Sequence, residues 1–479
     1  MATHPVTGDS RLLLWQRVRE FAVPPTMIET ATARRNSGDW AGACAAAGLD
    51  VDLNLRALTR TWGREVGERI RADLRGLAPD LLRWHLPRVA PDGLLRPGLT
   101  VALARHDLGD GSLCLVARTP PAWADAGQRI SLALWDGTLD EPAARGHPHP
   151  RPSRRFRFDL HRHLWDARVA DELRPRSGAD RLVREAGVAD LPRPCSGIDR
   201  PVWEAGVADL PRPRSGIDRY PGDAQSSCAT DRWADEARIV LRAEGRDSGT
   251  VVVRLDGRQR LALHVAADGT VTTSRPGKDT GALPVLPDAA TWTPPDLELL
   301  RAGLIDADRL HPLVATALVP GHAPTARDPA PDPARQSRLV ECRGARHRIG
   351  MVDGVLSPLD HSPDELRREE LLVALGGPPL PCLRVVDEAH RRPDCLTGVR
   401  ERLDHGDIAG ALAVVEGLLG PEAVLRDGPL KDELESAARR RIAYGLYRAG
   451  LAGSRKGPVR TRQRRRRDPR PGPRPATWR

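Results

Sequence analysis

The hydrophobic period of this chain changes several times along its length, and that switching limits the folds it can reach. Over the first 90 residues apolar side chains recur at helical spacing. Leu12, Trp15, Val18 and Phe21 mark one face, and Leu58, Trp62, Val66, Ile70, Leu74 and Leu77 mark a longer one. From Leu99 the period falls to two, in Leu99-Val101-Leu103, Leu113-Leu115 and Ile130-Leu132-Leu134, with Gly109-Asp110-Gly111 as a hairpin signal. Phe156, Phe158 and Leu160 alternate again. An antiparallel sheet of about four strands is expected here.

Trp233 to Arg242 returns to helical spacing, and period-two segments follow at 251–255, 261–265 and 271–273, with Asp256-Gly257 and Asp268-Gly269 between them. Residues 290–318 read as helix, and 338–343 with 346–352 as a hairpin closing toward Asp353-Gly354. Ser362-Pro363-Asp364-Glu365 then offers an N-cap, a proline for the first helical position and a capping-box glutamate. Helices continue to about Leu451, with Gly453 as their stop. The pattern predicts an α+β protein, helical N- and C-terminal regions flanking small antiparallel sheets. Its divisions are a helical region 1–95, a β region 96–164, a repeat insertion 165–228, a helix-and-sheet unit 229–320, a linker 321–336, a hairpin-plus-helices unit 337–453 and a basic tail 454–479.

The insertion is a 19-residue unit run three times from Trp165 to Gly222. Copies two and three, starting at Arg184 and Trp203, agree at 15 of 19 positions, and copy one is more worn. Each copy has about two helical turns before a proline, too little for an independent helix and too short for a stacked solenoid repeat. A disordered surface insertion is the expectation.

The chain carries a formal charge of +10. Between Ser454 and Arg479 lie ten arginines and one lysine against Asp468 alone, so the tail holds the entire excess and the body is neutral. A tail of arginine and proline buries no core. It could contact phosphates by charge, but only Trp478 offers a base something to stack on. No window reaches the roughly 18 apolar residues of a membrane span. The seven cysteines are scattered without a Cys-x-x-Cys pair, a usage that suits reduced thiols and a cytoplasmic location.

One local motif occurs twice: Gly38-Asp39-Trp40-Ala41-Gly42-Ala43 near the start and Gly406-Asp407-Ile408-Ala409-Gly410-Ala411 near the end. The first glycine can end one helix in the left-handed conformation, the aspartate can cap the next, and the alanines let two helices approach. Over about 20 residues at each site this resembles the turn of tetratricopeptide repeats, which implies a helical hairpin for packing or a partner-binding groove. The chain also resembles proteins of high-GC bacteria in the stretches Arg11 to Asp39 and Pro79 to Pro121, a resemblance that implies no activity.

Residues that could carry chemistry are few. His147, His149, His161 and His163 could gather on a metal, and a strand would put the last two on one face; exposed histidines beside a loop are the plainer expectation. Cys382, His390 and Cys395 match no zinc spacing and read as structural, with Cys382 a buried thiol. Gly277-Lys278-Asp279-Thr280 lacks the rest of a phosphate loop, and no nucleophile elbow or dinucleotide fingerprint occurs. Glu369-Glu370 and Asp387-Glu388 read as solvated helix faces. No catalytic, cofactor or metal residue is assigned. The expected role is non-enzymatic, a protein-interaction or scaffold function with a protein partner. A metal-dependent hydrolase using the histidines and nucleic-acid contact through the tail are the alternatives.

Overall fold

A computed structural model describes residues 8–109, 111–124, 128–138, 146–179, 228–255, 259–277, 280–322, 338–352, 355–391, 396–419 and 427–451. Repeat copies two and three, most of the expected linker, and the arginine tail lie outside them. As the periodicity predicts, helices at both ends flank small antiparallel sheets.

The N-terminal region holds α1 (Gly8–Arg17), α2 (Pro25–Asn36), α3 (Trp40–Ala46), β1 (Leu49–Val51), α4 (Leu55–Trp62), α5 (Arg64–Gly76) and α6 (Pro79–His85). The long apolar face from Leu58 to Leu77 is split at Gly63, whose φ of +87° only glycine adopts cheaply. Leu58, Val66, Ile70, Leu74 and Leu77 nevertheless share one core. Two short strands, β2 (Arg88–Val89) and β3 (Leu94–Leu95), precede the first large sheet, which contains β4 (Thr100–Asp107), β5 (Ser112–Arg118) and β6 (Ile130–Trp135).

That sheet runs β1-β6-β5-β4, and its fourth strand is not the one expected. β1 pairs in parallel with β6, Leu49 opposite Ile130. The segment around Phe156 to Leu160 makes a single bridge, Arg157 to Ala102, and then turns away through Leu160 N to Arg157 O and His161 N to Phe158 O, both 3.1 Å. Phe156 and Phe158 are buried all the same. Burial of two rings produced the alternation without a ladder to go with it.

The first repeat copy corrects a second expectation. Trp165 is fully buried in the main core with Leu173 and Ala179. Its indole donates to Phe158 O across 3.1 Å, and its carbonyl accepts from Ala78 N across 2.8 Å. The short helix α7 (Leu173–Ser177) ends at Gly178, φ +79°. Residues 165–179 are therefore part of the folded body, not an appendage.

In the next unit α8 (Trp233–Ala243) packs on an antiparallel sheet of β7 (Gly249–Arg254), β8 (Arg260–Val265) and β9 (Val271–Ser274) around Trp233, Val240, Leu241, Val251, Val253 and Leu263. The helices that follow, α9 (Asp288–Thr291), α10 (Pro295–Arg301) and α11 (Pro312–Leu318), return to the first core through Trp292, Leu297, Leu299, Val314 and Leu318. The region expected as one unit thus feeds two cores.

The C-terminal part opens with a three-stranded meander, β10 (Arg338–Cys342), β11 (Ala345–Val352) and β12 (Val355–Pro358). Helices α12 (Pro363–Ala374), α13 (Pro381–Arg391), α14 (Leu396–His405), α15 (Ile408–Leu419) and α16 (Pro429–Arg448) follow. The last ends at Gly450, φ +67°, three residues before the expected stop. Val399, Leu403, Ala411, Val415 and Leu430 form a small core between α14, α15 and α16. This bundle is tied to the body by Arg83, which donates to His405 O across 2.7 Å, and by Tyr444 and Arg448, which hold Asp50 and Asp52 beside β1. Among the described residues no helix is long and apolar enough to cross a membrane.

Candidate metal centre

The turn between β10 and β11 consists of Arg343 and Gly344, with φ of +55° and +80°. Two successive positive φ values are what a tight two-residue hairpin needs. The hairpin sets Cys342 opposite Ala345 and His347 opposite Val340. Side chains alternate along a strand, and residues directly opposite share a face, so Cys342 and His347 emerge on the same side.

Two further segments complete the cluster. After β12, Asp360 accepts from Arg348 N at 2.6 Å and from its guanidinium at 2.7 Å, which pins the loop and presents His361. Those bonds hold the Asp360 carboxyl at a pKa of about 2. Ser362 then caps α12 by accepting from Glu365 N, as its sequence predicts. Cys382 sits in the first turn of α13, which packs on the meander beside Leu380, Val340 and Leu383.

One donor atom from each of Cys342, His347, His361 and Cys382 lies within 4.8 Å of the others. The two imidazoles hydrogen-bond across 2.7 Å, His347 Nδ1 to His361 Nε2, and Cys382 Sγ is 4.0 Å from His347 Nδ1. Tetrahedral zinc, with bonds of about 2.0 Å to nitrogen and 2.3 Å to sulfur, implies edges of about 3.3 to 3.8 Å. The four donors bracket those values and need only small movements to close on an ion. Cys342, His361 and Cys382 are buried and His347 is half-buried. Burial, with Cys342 alongside, pushes the Cys382 thiol up to about 11.

A second layer orients the donors. His361 Nδ1 lies 3.3 Å from Glu365 Oε2, which frees Nε2 to face the other ligands. That bond is the main cause holding the Glu365 carboxyl below its ordinary range. Arg343, from the hairpin turn, donates to Glu365 Oε1 at 2.8 Å and also reaches Glu369. Glu369 is only 12% exposed, so it belongs to this network and not to the solvated face expected from its place on a helix.

Of the cysteine–histidine set drawn from the sequence, Cys382 is buried as expected, while the side chains of His390 and Cys395 lie outside the described residues. Spacing along the sequence does not mark Cys342, His347 and His361 as partners of Cys382, because 4, 13 and 20 residues intervene between successive members, a spacing no zinc pattern uses. The one local hint was a cysteine and a histidine flanking a hairpin turn.

The other four histidines do not form such a group among the described residues. The expectation that they are exposed fails for three of them: His147, His161 and His163 are 5%, 1% and 3% exposed. His147 bonds Thr119 O at 2.9 Å and accepts from His149 N at 3.1 Å, while His149 faces outward. His161 precedes and His163 lies within a 3-10 turn (Arg162–Leu164), not a strand, so no shared strand face presents them. His161 Nε2 is taken by Glu236, 3.1 Å away, and Arg176 clasps the same carboxylate. Despite burial, those partners hold the Glu236 carboxyl down at about 2. Burial drives His163 well below the ordinary histidine range. Both act as core residues.

No protein-family model, curated protein or solved structure matches this chain.

Proposed function

We propose that this chain is a non-enzymatic interaction protein whose C-terminal part folds around one structural zinc ion held by Cys342, His347, His361 and Cys382. The observation that carries the metal assignment is the convergence of two sulfurs and two imidazole nitrogens, from three separate segments, within 4.8 Å. Thiolate with imidazole in fourfold coordination suits zinc. Four protein ligands leave no position open for water or substrate, which favours a structural over a hydrolytic centre. The ion would link the meander, the His361 loop and α13, segments whose shared core, among the described residues, is only a few side chains.

Elemental analysis of the full chain tests this directly. One zinc per chain is expected, with loss of the metal from Cys342→Ser/Cys382→Ser. Purified protein carrying no transition metal after expression in zinc-replete medium would overturn it.

The interaction role is supported by a groove of about 440 Å³ between the two copies of the Gly-Asp hairpin, where α2 and α3 meet α14, α15 and α16. Met27, Leu403 and Ile408 give it apolar walls, and Arg440 and Arg441 lie at its edge. A cross-linked partner retained by the wild type and lost from Met27→Glu is the expected result. A partner profile indifferent to that substitution would remove the groove from the proposal.

A further inference from the structure

The seam between the first sheet and the α8 unit encloses a second cavity, of about 290 Å³, whose charged lining is three arginines against one glutamate. Arg105 enters from β4, Arg154 and Arg157 from the loop that follows Pro152, and Glu244 from the end of α8. Arg157 is already neutralised: it is 9% exposed and makes hydrogen bonds of 2.8 and 2.9 Å to Asp159, with Glu244 3.6 Å away. Arg105 and Arg154 are not. Arg105 is exposed and stands opposite Cys114 in the strand register, and Arg154 makes one long bond, 3.5 Å, to Gly281 O. Among the described residues neither has a carboxylate within ion-pair distance.

The surroundings sharpen the imbalance. Beside the cavity Arg155 holds Asp288 at 2.5 Å, and burial together with the nearby charge of Arg155 lowers the pKa of both Arg96 and Arg254. Arg254 Nε is buried without a hydrogen-bond partner. Like charges gathered in a partly desolvated crevice repel one another at a cost that an anion in the crevice would relieve. The remaining cavity wall, Ala102, Val240, Pro284 and Val285, is apolar.

We infer that this cavity binds a small phosphate monoester, its phosphoryl oxygens taken by Arg105 and Arg154 with Arg157 as the buried anchor. A monoester carries about −1.5 to −2 at neutral pH, which matches two guanidiniums that have no carboxylate partner among the described residues. Guanidinium forks suit phosphate oxygens geometrically. The apolar wall would receive a short organic remainder, since the volume lies at the small end of ligand pockets.

Calorimetric titration of the full chain with inorganic phosphate and with glycerol phosphate, at fixed ionic strength in chloride, tests the assignment. Saturable one-to-one binding is expected, tighter for glycerol phosphate, and weakened by about tenfold or more in Arg105→Ala/Arg154→Ala. Both arginines are exposed, so the variant should keep its thermal midpoint. It also leaves the four metal ligands untouched, so this result is independent of the zinc content. Unchanged affinity in that variant, or no saturable binding at millimolar ligand, would overturn the site. Equal affinity for the two ligands would overturn the monoester assignment.

Discussion

His405 shows how a single buried side chain can weaken this fold in acid. Its ring stacks on Phe21, with centroids 6.2 Å apart, and it is 0% exposed; the nearest carboxylate, Glu401, is 3.9 Å away. Burial, reinforced by the charges of Arg88 and Arg83, pushes its pKa down from 6.5 to about 3. The unfolded chain therefore takes up a proton first as the pH falls. Stability is complete above pH 6.5 and declines below it, by about 2 kcal/mol at pH 5 from this group at most. His405→Phe keeps the stack and removes the proton. Its urea midpoint should fall less between pH 7 and pH 5 than that of the wild type, and an equal fall would exclude His405 as a source. His85, held at about 4 by burial, adds to the same loss with the same sign.

At the scale of elements, the duplicated hairpin is the clearest case of sequence dictating geometry. Gly38 and Gly406 have φ of +82° and +86°, and Asp39 and Asp407 accept from Gly42 N and Gly410 N at 2.8 and 2.9 Å. An arginine five residues earlier holds each cap, Arg34 at 2.9 Å and Arg402 at 2.7 Å. The second glycine is explained too, since a Cβ there would lie 2.0 or 2.1 Å from the capping carboxylate. Asp39→Ala and Asp407→Ala should each cost about 1 kcal/mol in chemical denaturation, the ordinary loss of an N-cap. Gly410→Ala should weaken the same helix, because the cap must move to admit the methyl. Asp407→Ala without measurable loss would mean that tertiary packing alone holds the α14–α15 corner.

For the molecule as a whole, the cores divide the consequences of losing a metal. Among the described residues, the large N-terminal core takes its members from 14 to 318 and includes none from the C-terminal part. The apolar cluster at the proposed metal centre amounts, among the described residues, to Cys342, Leu380 and Cys382 with Val340 and Leu383 at its edge. So small a cluster cannot offset the ordering of its own chain. Chelation should thus release hydrogen-exchange protection across 338–352 and 381–391 while 100–118 stays protected. Loss of protection in both regions together would show that the centre supports the entire fold. No loss in either would mean that no ion contributes to stability.

Local physics was legible from the sequence alone. Turn glycines, the Ser362 cap, the strand alternation of β4 to β6 and the hairpin at Gly344 follow from backbone sterics and near-neighbour hydrogen bonds, which involve residues a few positions apart. Partnerships across distance were not. Phe156 and Phe158 alternate like a strand because both are buried, and only packing reveals that no ladder accompanies them. Trp165 resembles its later copy, Trp203, in sequence, yet its place in the core depends on Phe158 and Ala78. The four donors of the proposed metal centre come from a hairpin, a loop and a helix, and no spacing rule spans the 41 positions from Cys342 to Cys382. Local order is encoded by neighbours along the chain, whereas a coordination site depends on which segments fold together, and that is decided by the apolar surfaces they bury.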